Sequence, residues 1–236
     1  MADEAAAADR NIADVRRRLR DVPVSPARQE MRRLAAAGRE VIERLVATTA
    51  PEDELKKAAD LLEDASSLLA GYPQGRLYEG FAESANAGDA HAFFDHSPLQ
   101  GVANPLAPPV RLDVVDGEVH GQVRFGSAYE GPPSSVHGGY VAAAFDEVLG
   151  LAQSLGGSPG MTGTLTIRYR KPTPLHTDLR FVARLDRQEG RKIFCSGELY
   201  AGDMLCAEAD GIFISVDIGR MAELMARRRE REGRRS

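Results

Sequence analysis

The chain has 236 residues, of which 43% are hydrophobic and 28% are charged, and this composition is typical of a globular protein. A net charge of −5 argues against general attraction to nucleic acid, and no apolar run approaches the ~20 residues of a membrane helix. The acidic N-terminus lacks a charged-then-apolar signal pattern, so we expect a cytoplasmic protein. Two cysteines, Cys195 and Cys206, are too few for a disulfide framework or a structural zinc site, and we expect neither a metal nor a cofactor.

Residues 1–80 predict a helical extension, because apolar residues recur there at three- and four-residue spacing. One stripe consists of Leu55, Ala58, Leu62, Ala65 and Leu69, and an earlier one consists of Leu34, Val41, Leu45 and Val46. Pro51 starts the later helix and Gly71 ends it. We interpret this part as a helical hairpin packed on its own core or on a partner subunit, since no basic recognition face indicates a DNA reader. Residues 81–107 are expected to form a connecting loop with a short helix around His91–Phe94.

From residue 108 onwards the apolar pattern changes to a period of two, which is typical of β-strands. Two alternating runs flank Asp116-Gly117. This dipeptide favours a tight hairpin, because both central positions of a type I′ turn need positive φ and Asp-Gly tolerates it. A long helix is predicted from Gly138 to Leu155, and four strands follow at 162–171, 178–187, 191–201 and 204–216.

Short connections between these strands imply antiparallel neighbours. Residues 108–217 therefore predict an α+β domain in which one long helix packs against an antiparallel sheet. A short helix and an arginine-rich tail, which we read as solvated, are expected at 218–236.

The densest chemical motif lies where a loop reaches the start of the long helix with His137-Gly138-Gly139. The first N–H groups of a helix have no intrahelical partners, and glycine lets a ligand approach them closely. This geometry suits a carbonyl oxygen that becomes an oxyanion, although an ordinary tight turn would use the same glycines. Further along the helix, Asp146 interrupts an apolar stretch, where a carboxylate is costly unless it is paired or functional. Asp146 and Glu147 lie ~100° apart on a helix, so either one of them enters a site or both face solvent.

Four ordered motifs carry a family resemblance. They are Glu130-Gly131-Pro132-Pro133 with Val136-His137-Gly138-Gly139 and Asp146, then Met161-Thr162, then Tyr169-Arg170-Lys171-Pro172-Thr173-Pro174-Leu175, and then Glu189-Gly190-Arg191-Lys192. In these segments the chain resembles the hot-dog-fold acyl-CoA thioesterases of the phenylacetate-pathway type, and especially their thioesterase-superfamily-member relatives in animals. The resemblance spans residues 95–217 and leaves residues 1–80 uncovered. It implies the hot-dog fold, in which an antiparallel sheet wraps a long central helix.

The resemblance also implies a role for each motif residue. Asp146 would be the catalytic carboxylate, acting as a nucleophile or as the base for a water, and Thr162 would help to place it. Gly138 would supply the oxyanion N–H, and His137 would shape its turn. Substrate contacts are expected from Gly139, Tyr140, Arg168, Tyr169, Lys171, Arg191 and Lys192. The basic members of this set, with Arg170, are candidates for binding phosphates because coenzyme A is a polyanion.

Together these patterns predict an enzyme that hydrolyses an acyl-CoA thioester to a carboxylic acid and free coenzyme A. Gly138 and Asp146 would lie ~12 Å apart along one helix, too far to serve one reacting group. We therefore expect a homo-oligomer, a dimer or a dimer of dimers, in which two antiparallel helices share each site. The rival hypothesis is a non-catalytic acyl-CoA sensor whose helical arm contacts DNA or protein. Asp146 and Thr162 favour the enzyme, because a pure binder needs no carboxylate beside the thioester.

Overall fold

The computed structural model describes residues 19, 21–73, 75, 89, 91–158 and 160–216. The helices are α1 (Pro26–Leu45), α2 (Glu52–Ala70), α3 (Ala92–Asp95) and α4 (Gly138–Ser154), with a 3-10 turn at Ser127–Tyr129. The strands are β1 (Arg111–Val115), β2 (Glu118–Val123), β3 (Gly160–Tyr169), β4 (Leu179–Glu189), β5 (Lys192–Ala201) and β6 (Met204–Ser215). The short helix and arginine-rich tail predicted at 218–236 lie outside the described residues.

The six strands form one antiparallel sheet in the order β1-β2-β4-β5-β6-β3. The β1–β2 connection is the predicted tight hairpin, with φ of 51° at Asp116 and 82° at Gly117. Helix α4 packs on one face of this sheet and contacts every strand except β1 in a substantial interface. A long helix wrapped by one antiparallel sheet confirms the predicted α+β hot-dog fold.

The core lies between α4 and the sheet. The helix buries the stripe that its sequence period indicates, namely Val141, Phe145, Val148, Leu149 and Ala152. Phe145 meets Phe181 of β4 edge to face, with ring centroids 5.0 Å apart. Burial of a phenylalanine side chain contributes about 1.5–3 kcal/mol, so this stripe fixes the rotation of α4 about its axis. The opposite side of α4, which includes Gly139, Ala143 and Asp146, is left exposed or half-buried.

Strand β3 is an edge strand with a bulge near its start. Its register against β6 shifts between Thr162 and Thr164, so that Gly163 is the extra residue. Strand alternation alone would put Thr162 on the same face as Thr164. The bulge reverses this, and Thr162 pairs with Phe213, whose side chain is buried in the core beneath α4.

Helix α1 docks through a polar face rather than an apolar one, and this face contacts the connecting segment that precedes the hot-dog domain. Arg28 donates to the Asp89 carboxylate at 2.9 Å, Arg32 donates to Asp95 at 2.8 Å, and Arg39 donates to the backbone carbonyl of Asn104 at 2.9 Å. These three arginines recur at four- and seven-residue spacing and so share one side of the helix. Arg28 is only 1% exposed, and breaking a buried ion pair typically costs about 3–5 kcal/mol.

Packing of the helical hairpin on its own core is wrong for the described residues, whereas its packing on a partner subunit stays a prediction. The stripe of α1 that includes Leu34, Val41 and Leu45 stays exposed, and α2 has no buried residue. The reason is that α1 turns its arginine face, not this stripe, toward Asp89 and Asp95. None of the helices among the described residues is both long and apolar enough to cross a bilayer.

Candidate active site

Two of the sequence motifs form a single loop platform before α4. The segment from Glu130 to Val136 closes on itself through a hydrogen bond from the Gly131 N–H to the Ser135 carbonyl at 2.9 Å. The Val136 N–H then donates to the carbonyl of Thr173 at 2.8 Å. The loop therefore joins two motif segments that lie far apart in the sequence, and it delivers the chain to the start of α4 in a fixed direction.

The first turn of α4 leaves one backbone N–H open. The His137 N–H donates to the Tyr129 carbonyl at 2.8 Å, and the Gly139 N–H donates to the Nδ1 of His137 at 3.0 Å. The Tyr140 N–H donates to the His137 carbonyl at 2.9 Å. Among the described residues, the N–H of Gly138 finds no acceptor. A half-buried, unpaired N–H at a helix start is a donor ready for a ligand oxygen.

Two tyrosines hold this turn in place. The hydroxyl of Tyr169 donates to the Gly138 carbonyl at 2.8 Å, and a Cβ at Gly138 would lie 3.2 Å from that hydroxyl. The Tyr140 ring meets the Tyr129 ring edge to face, with centroids 4.8 Å apart. Tyr169 and Tyr140 are predicted substrate contacts, and what the structure shows is that both support the α4 turn. Tyr129 was not among the predicted residues, because its contribution here is mainly a backbone carbonyl, which carries no signal in the side-chain pattern.

The Asp146 carboxylate lies two turns further along α4, on its open side. Its Oδ1 accepts a hydrogen bond from the Thr162 hydroxyl at 2.7 Å. The neighbouring Glu147 points elsewhere, because its carboxylate accepts from the Ser97 hydroxyl at 3.3 Å and from the Gln100 amide. The alternative in which both carboxylates face solvent is therefore wrong, and Asp146 is the one paired with a motif residue.

The basic candidates separate into two groups at opposite ends of the sheet. Arg168 and Arg170 pair with Asp210 and Glu208 of β6, and Lys171 follows them at the Tyr169 end of β3. Arg191 donates to the Ser215 carbonyl at 3.1 Å. The register aligns Lys192 with Ile214, and Ile214 with Met161, so these last two basic residues sit at the Thr162 end. One chain does not bring all of these charges together.

The remaining ionisable groups do not form a second centre. Among the described residues, no three His, Cys, Asp or Glu side chains are grouped so as to hold a metal ion. Both cysteines of the chain are free and buried. Burial, with the Asp186 charge, raises the pKa of Cys195 to about 12, and burial raises the pKa of Cys206 as well. A thiol with such a pKa is protonated at neutral pH and is a poor nucleophile.

Comparison with known proteins identifies the family. Residues 134–208 match the thioesterase superfamily. A solved thioesterase superfamily protein is 33% identical with a TM-score of 0.66, covering 78% of this chain and 94% of that chain. The chain belongs to the thioesterase superfamily. The segment that matches the thioesterase superfamily contains His137, Gly138, Asp146 and Thr162.

Curated relatives match over a shorter stretch. Acyl-coenzyme A thioesterase THEM4 of Bos taurus is 37% identical over 94 residues, which are 39% of this chain and 38% of that protein. Acyl-coenzyme A thioesterase THEM5 of Homo sapiens is 30% identical over 95 residues, again 39% of this chain and 38% of that protein. The match thus spans well under half the length of these relatives.

Proposed function

We propose that the chain is an acyl-CoA thioesterase, which hydrolyses an acyl-CoA thioester to a carboxylic acid and free coenzyme A. The observation that carries the proposal is one open side of α4 with two complementary groups. At its start stands the unpaired N–H of Gly138, and in its middle stands the Asp146 carboxylate bonded to Thr162. The names of the curated relatives, both acyl-coenzyme A thioesterases, support the same substrate class.

The reaction follows from these groups. The Gly138 N–H donates to the thioester oxygen and stabilises the negative charge that develops there. Asp146 then acts in one of two ways. As a nucleophile it bonds to the carbonyl carbon, coenzyme A leaves as a thiolate, and water hydrolyses the resulting anhydride. As a general base it takes a proton from a water that attacks the same carbon. In either case Thr162 occupies one carboxylate oxygen and leaves the other free to react.

Each site requires two copies of the chain. Gly138 and Asp146 are eight residues apart on one helix, a separation of ~12 Å along its axis. Two α4 helices packed antiparallel across a two-fold axis bring Gly138 of one copy to Asp146 of the other, and do so twice. The exposed side of α4 carries small residues, including Gly139 and Ala143, and these permit close approach of a second helix. Strand β3, at the sheet edge, lies beside this face and offers unpaired backbone groups.

A shared site also accounts for the divided charges. Lys171 with Arg168 at one end of the sheet, and Arg191 with Lys192 at the other, come from different copies in an antiparallel pair. One coenzyme A would then contact basic side chains of both chains through its phosphates. The ion pairs of Arg168 and Arg170 with β6 carboxylates, and the hydrogen bonds of Arg191 to the Ser215 carbonyl, make Lys171 and Lys192 the more available contacts.

The parts of the chain have different tasks in this proposal. Residues 108–217 form the catalytic unit, residues 81–107 connect it, and residues 1–80 form an extension that docks on it through α1. Two free, buried cysteines fit a reducing compartment, and we place the enzyme in the cytoplasm.

The test is thiol release from a panel of acyl-CoAs, with Asp146→Asn as the decisive variant. Loss of the nucleophile or base should lower kcat by about 10²–10⁴-fold without unfolding the protein. Glu147→Gln is the matched control, since it removes the adjacent carboxylate, which faces Ser97 and Gln100, and should cost far less. Wild-type turnover in a folded Asp146→Asn protein would contradict the assignment.

A second candidate function rests on α2, whose leucines are exposed along its length; Leu68, for example, is 70% exposed. A helix of this kind fits an acyl-CoA sensor that passes its ligand state to another macromolecule. If the protein without substitutions bound acyl-CoA saturably and released no thiol, that result would favour the sensor over the enzyme.

A further inference from the structure

One carboxylate of the helical extension (residues 1–80) contacts the hot-dog domain close to the candidate active site. Glu43, near the end of α1, accepts hydrogen bonds from the Ser127 N–H at 2.8 Å and the Ala128 N–H at 3.2 Å. These two N–H groups begin the 3-10 turn, where no preceding carbonyl is positioned to accept them. A carboxylate is a strong acceptor for backbone N–H groups at the start of a helical turn.

The domain has a fitted place for this carboxylate. Gly126 immediately precedes the turn, and a Cβ built on it would lie 2.3 Å from Oε2 of Glu43. Only glycine leaves room for the carboxylate at this position. Burial alone would raise the pKa of Glu43, but the hydrogen bonds from Ser127 and Ala128, with the nearby His176, outweigh it and hold that pKa below its usual range. Glu43 is therefore ionised at neutral pH.

The turn that Glu43 holds is also the turn that holds the start of α4. Its last residue, Tyr129, accepts the His137 N–H on its carbonyl at 2.8 Å and packs its ring against Tyr140. Hydrogen bonds at both ends of the Ser127–Tyr129 turn, joined by its backbone, thus link Glu43 to the residue next to Gly138.

We infer that Glu43 is a positioning residue, which sets the direction of the Gly138 N–H by fixing the Ser127–Tyr129 turn. Its kinetic consequence rests on the proposed thioesterase function, whereas the structural link does not. An oxyanion donor acts only when it lies within hydrogen-bond distance of the oxygen in the transition state, so small displacements are costly. This gives the helical arm a direct part in the site, although it lies outside the segment that matches the superfamily.

The test compares three variants on α1. Glu43→Ala should lower kcat about tenfold and change KM less than twofold, because an oxyanion donor stabilises the transition state more than the bound substrate. Glu43→Gln should recover only part of the lost kcat, because its one amide oxygen can accept one of the two N–H groups while its NH2 group faces the other. Glu40→Ala is the control: its side chain is exposed one turn earlier on the same helix and pairs only with Arg44 among the described residues.

A substitution on the other side of the Glu43 contact gives an independent check. Gly126→Ala places a methyl group where the Glu43 carboxylate lies, and should lower kcat as Glu43→Ala does. The two changes break the same contact, so the double variant should be no worse than either single one. Full additivity of the two losses, or a rise in KM at unchanged kcat, would overturn the inference.

Amide hydrogen exchange tests the link without turnover. In Glu43→Ala the amides of Ser127, Ala128 and His137 should exchange faster than in the parent and in Glu40→Ala. Unchanged exchange at His137 would overturn the inference even if kcat fell. If the parent released no thiol from any acyl-CoA, the proposed function would fail, while faster exchange would still support the role of Glu43 in positioning the turn.

Discussion

A single hydroxyl orients the carboxylate on which the proposed chemistry depends. Thr162 donates to Oδ1 of Asp146, and no other hydrogen bond to this carboxylate is found among the described residues. Asp146 lies on the half-buried side of α4, so without Thr162 its side chain could adopt other rotamers. In the proposed mechanism this hydroxyl selects the reactive orientation of the Asp146 carboxylate. Its removal should therefore lower kcat more than it lowers the free energy of unfolding.

We predict that Thr162→Val lowers kcat about tenfold, the effect of losing one hydrogen bond to a charged group. Thr162→Ser keeps the hydroxyl and should retain most of the activity. Thr164→Val removes a hydroxyl from the opposite face of the same strand and serves as the control. Steady-state thiol release from the three variants, compared at equal folded concentration, makes the measurement. An equal loss in Thr162→Ser and Thr162→Val would mean that the hydroxyl plays no part.

Residue types and spacing singled out Asp146 and Gly138 as candidates, because a carboxylate in an apolar stretch needs an explanation and a glycine at a helix start lets a ligand approach, but their roles came from the family resemblance. Other contacts leave no such trace. Glu43 reads as one more charge on an amphipathic helix, and its partners Ser127 and Ala128 lie more than 80 residues away. The residues alone likewise left Asp146 and Glu147 as alternatives; the resemblance favoured Asp146, and the contacts of Glu147 with Ser97 and Gln100 agree with that choice.

At the scale of elements, the bulge in β3 decides which face Thr162 occupies. The extra residue, Gly163, shifts the pairing so that Thr162 joins Leu165 and Ile167 on the side of α4. Strand alternation read from the sequence gives the opposite face. A bulge depends on the partner strand, so the hydroxyl–carboxylate contact could not be derived from periodicity alone.

Gly163→Val should therefore weaken catalysis through the strand rather than through the site. A Cβ at Gly163 would lie 3.1 Å from Cγ1 of Ile214 and 3.3 Å from the Ile212 carbonyl, so a branched side chain there disfavours the bulge. We expect kcat to fall about tenfold, as it does when the hydroxyl is lost. Deletion of Gly163 removes the bulge but keeps Thr162 opposite Phe213, and should retain more activity than the valine variant. The reverse order of these two activities would contradict this account.

In the helical extension, the amphipathic pattern predicts the helices but not the side of α1 that docks. The period of α1 and α2 predicted both helices correctly, and Ser25 caps α1 through its hydroxyl, which accepts the Arg28 N–H. The pattern did not tell which side of α1 docks, since the acidic partners Asp89 and Asp95 are distant in sequence. An arginine face can be the buried one when its counter-charges are supplied by another segment.

For the whole molecule, the proposed shared site implies that the open side of α4 in one chain supplies half of each of two sites. The order of helix and strands was correctly predicted from the sequence, because each element has its own period and turn signals. The short connection between β3 and β4 predicted that these strands are neighbours, and this is wrong, because β3 lies at the sheet edge and pairs with β6, the last strand in the sheet. That placement separates Lys171 from Lys192, so in the proposed mechanism both could contact one ligand only if they came from two copies of the chain.

Mixing two inactive variants tests the shared site. In a mixed dimer of His137→Ala and Asp146→Ala chains, one site carries both lesions and the other carries neither. Random pairing in an equal mixture should restore about a quarter of the wild-type activity. The mixture is co-refolded, each variant refolded alone is the control, and native mass spectrometry counts the mixed dimers. Mixed dimers without recovered activity would show that each site lies within one chain.

The buried cysteines make the first turnover of such an enzyme measurable. Since Cys195 and Cys206 are shielded and protonated at neutral pH, the protein contributes little background to a thiol reagent even at the concentration of its substrate. If Asp146 attacks the carbonyl carbon and anhydride hydrolysis is the slower step, a rapid burst of one coenzyme A per site precedes the steady state. If Asp146 activates a water instead, no covalent intermediate accumulates and the release of coenzyme A has no such burst. The burst amplitude, extrapolated to time zero, would therefore show whether Asp146 acts as a nucleophile or as a general base. For a nucleophile it would also give the number of active sites per dimer.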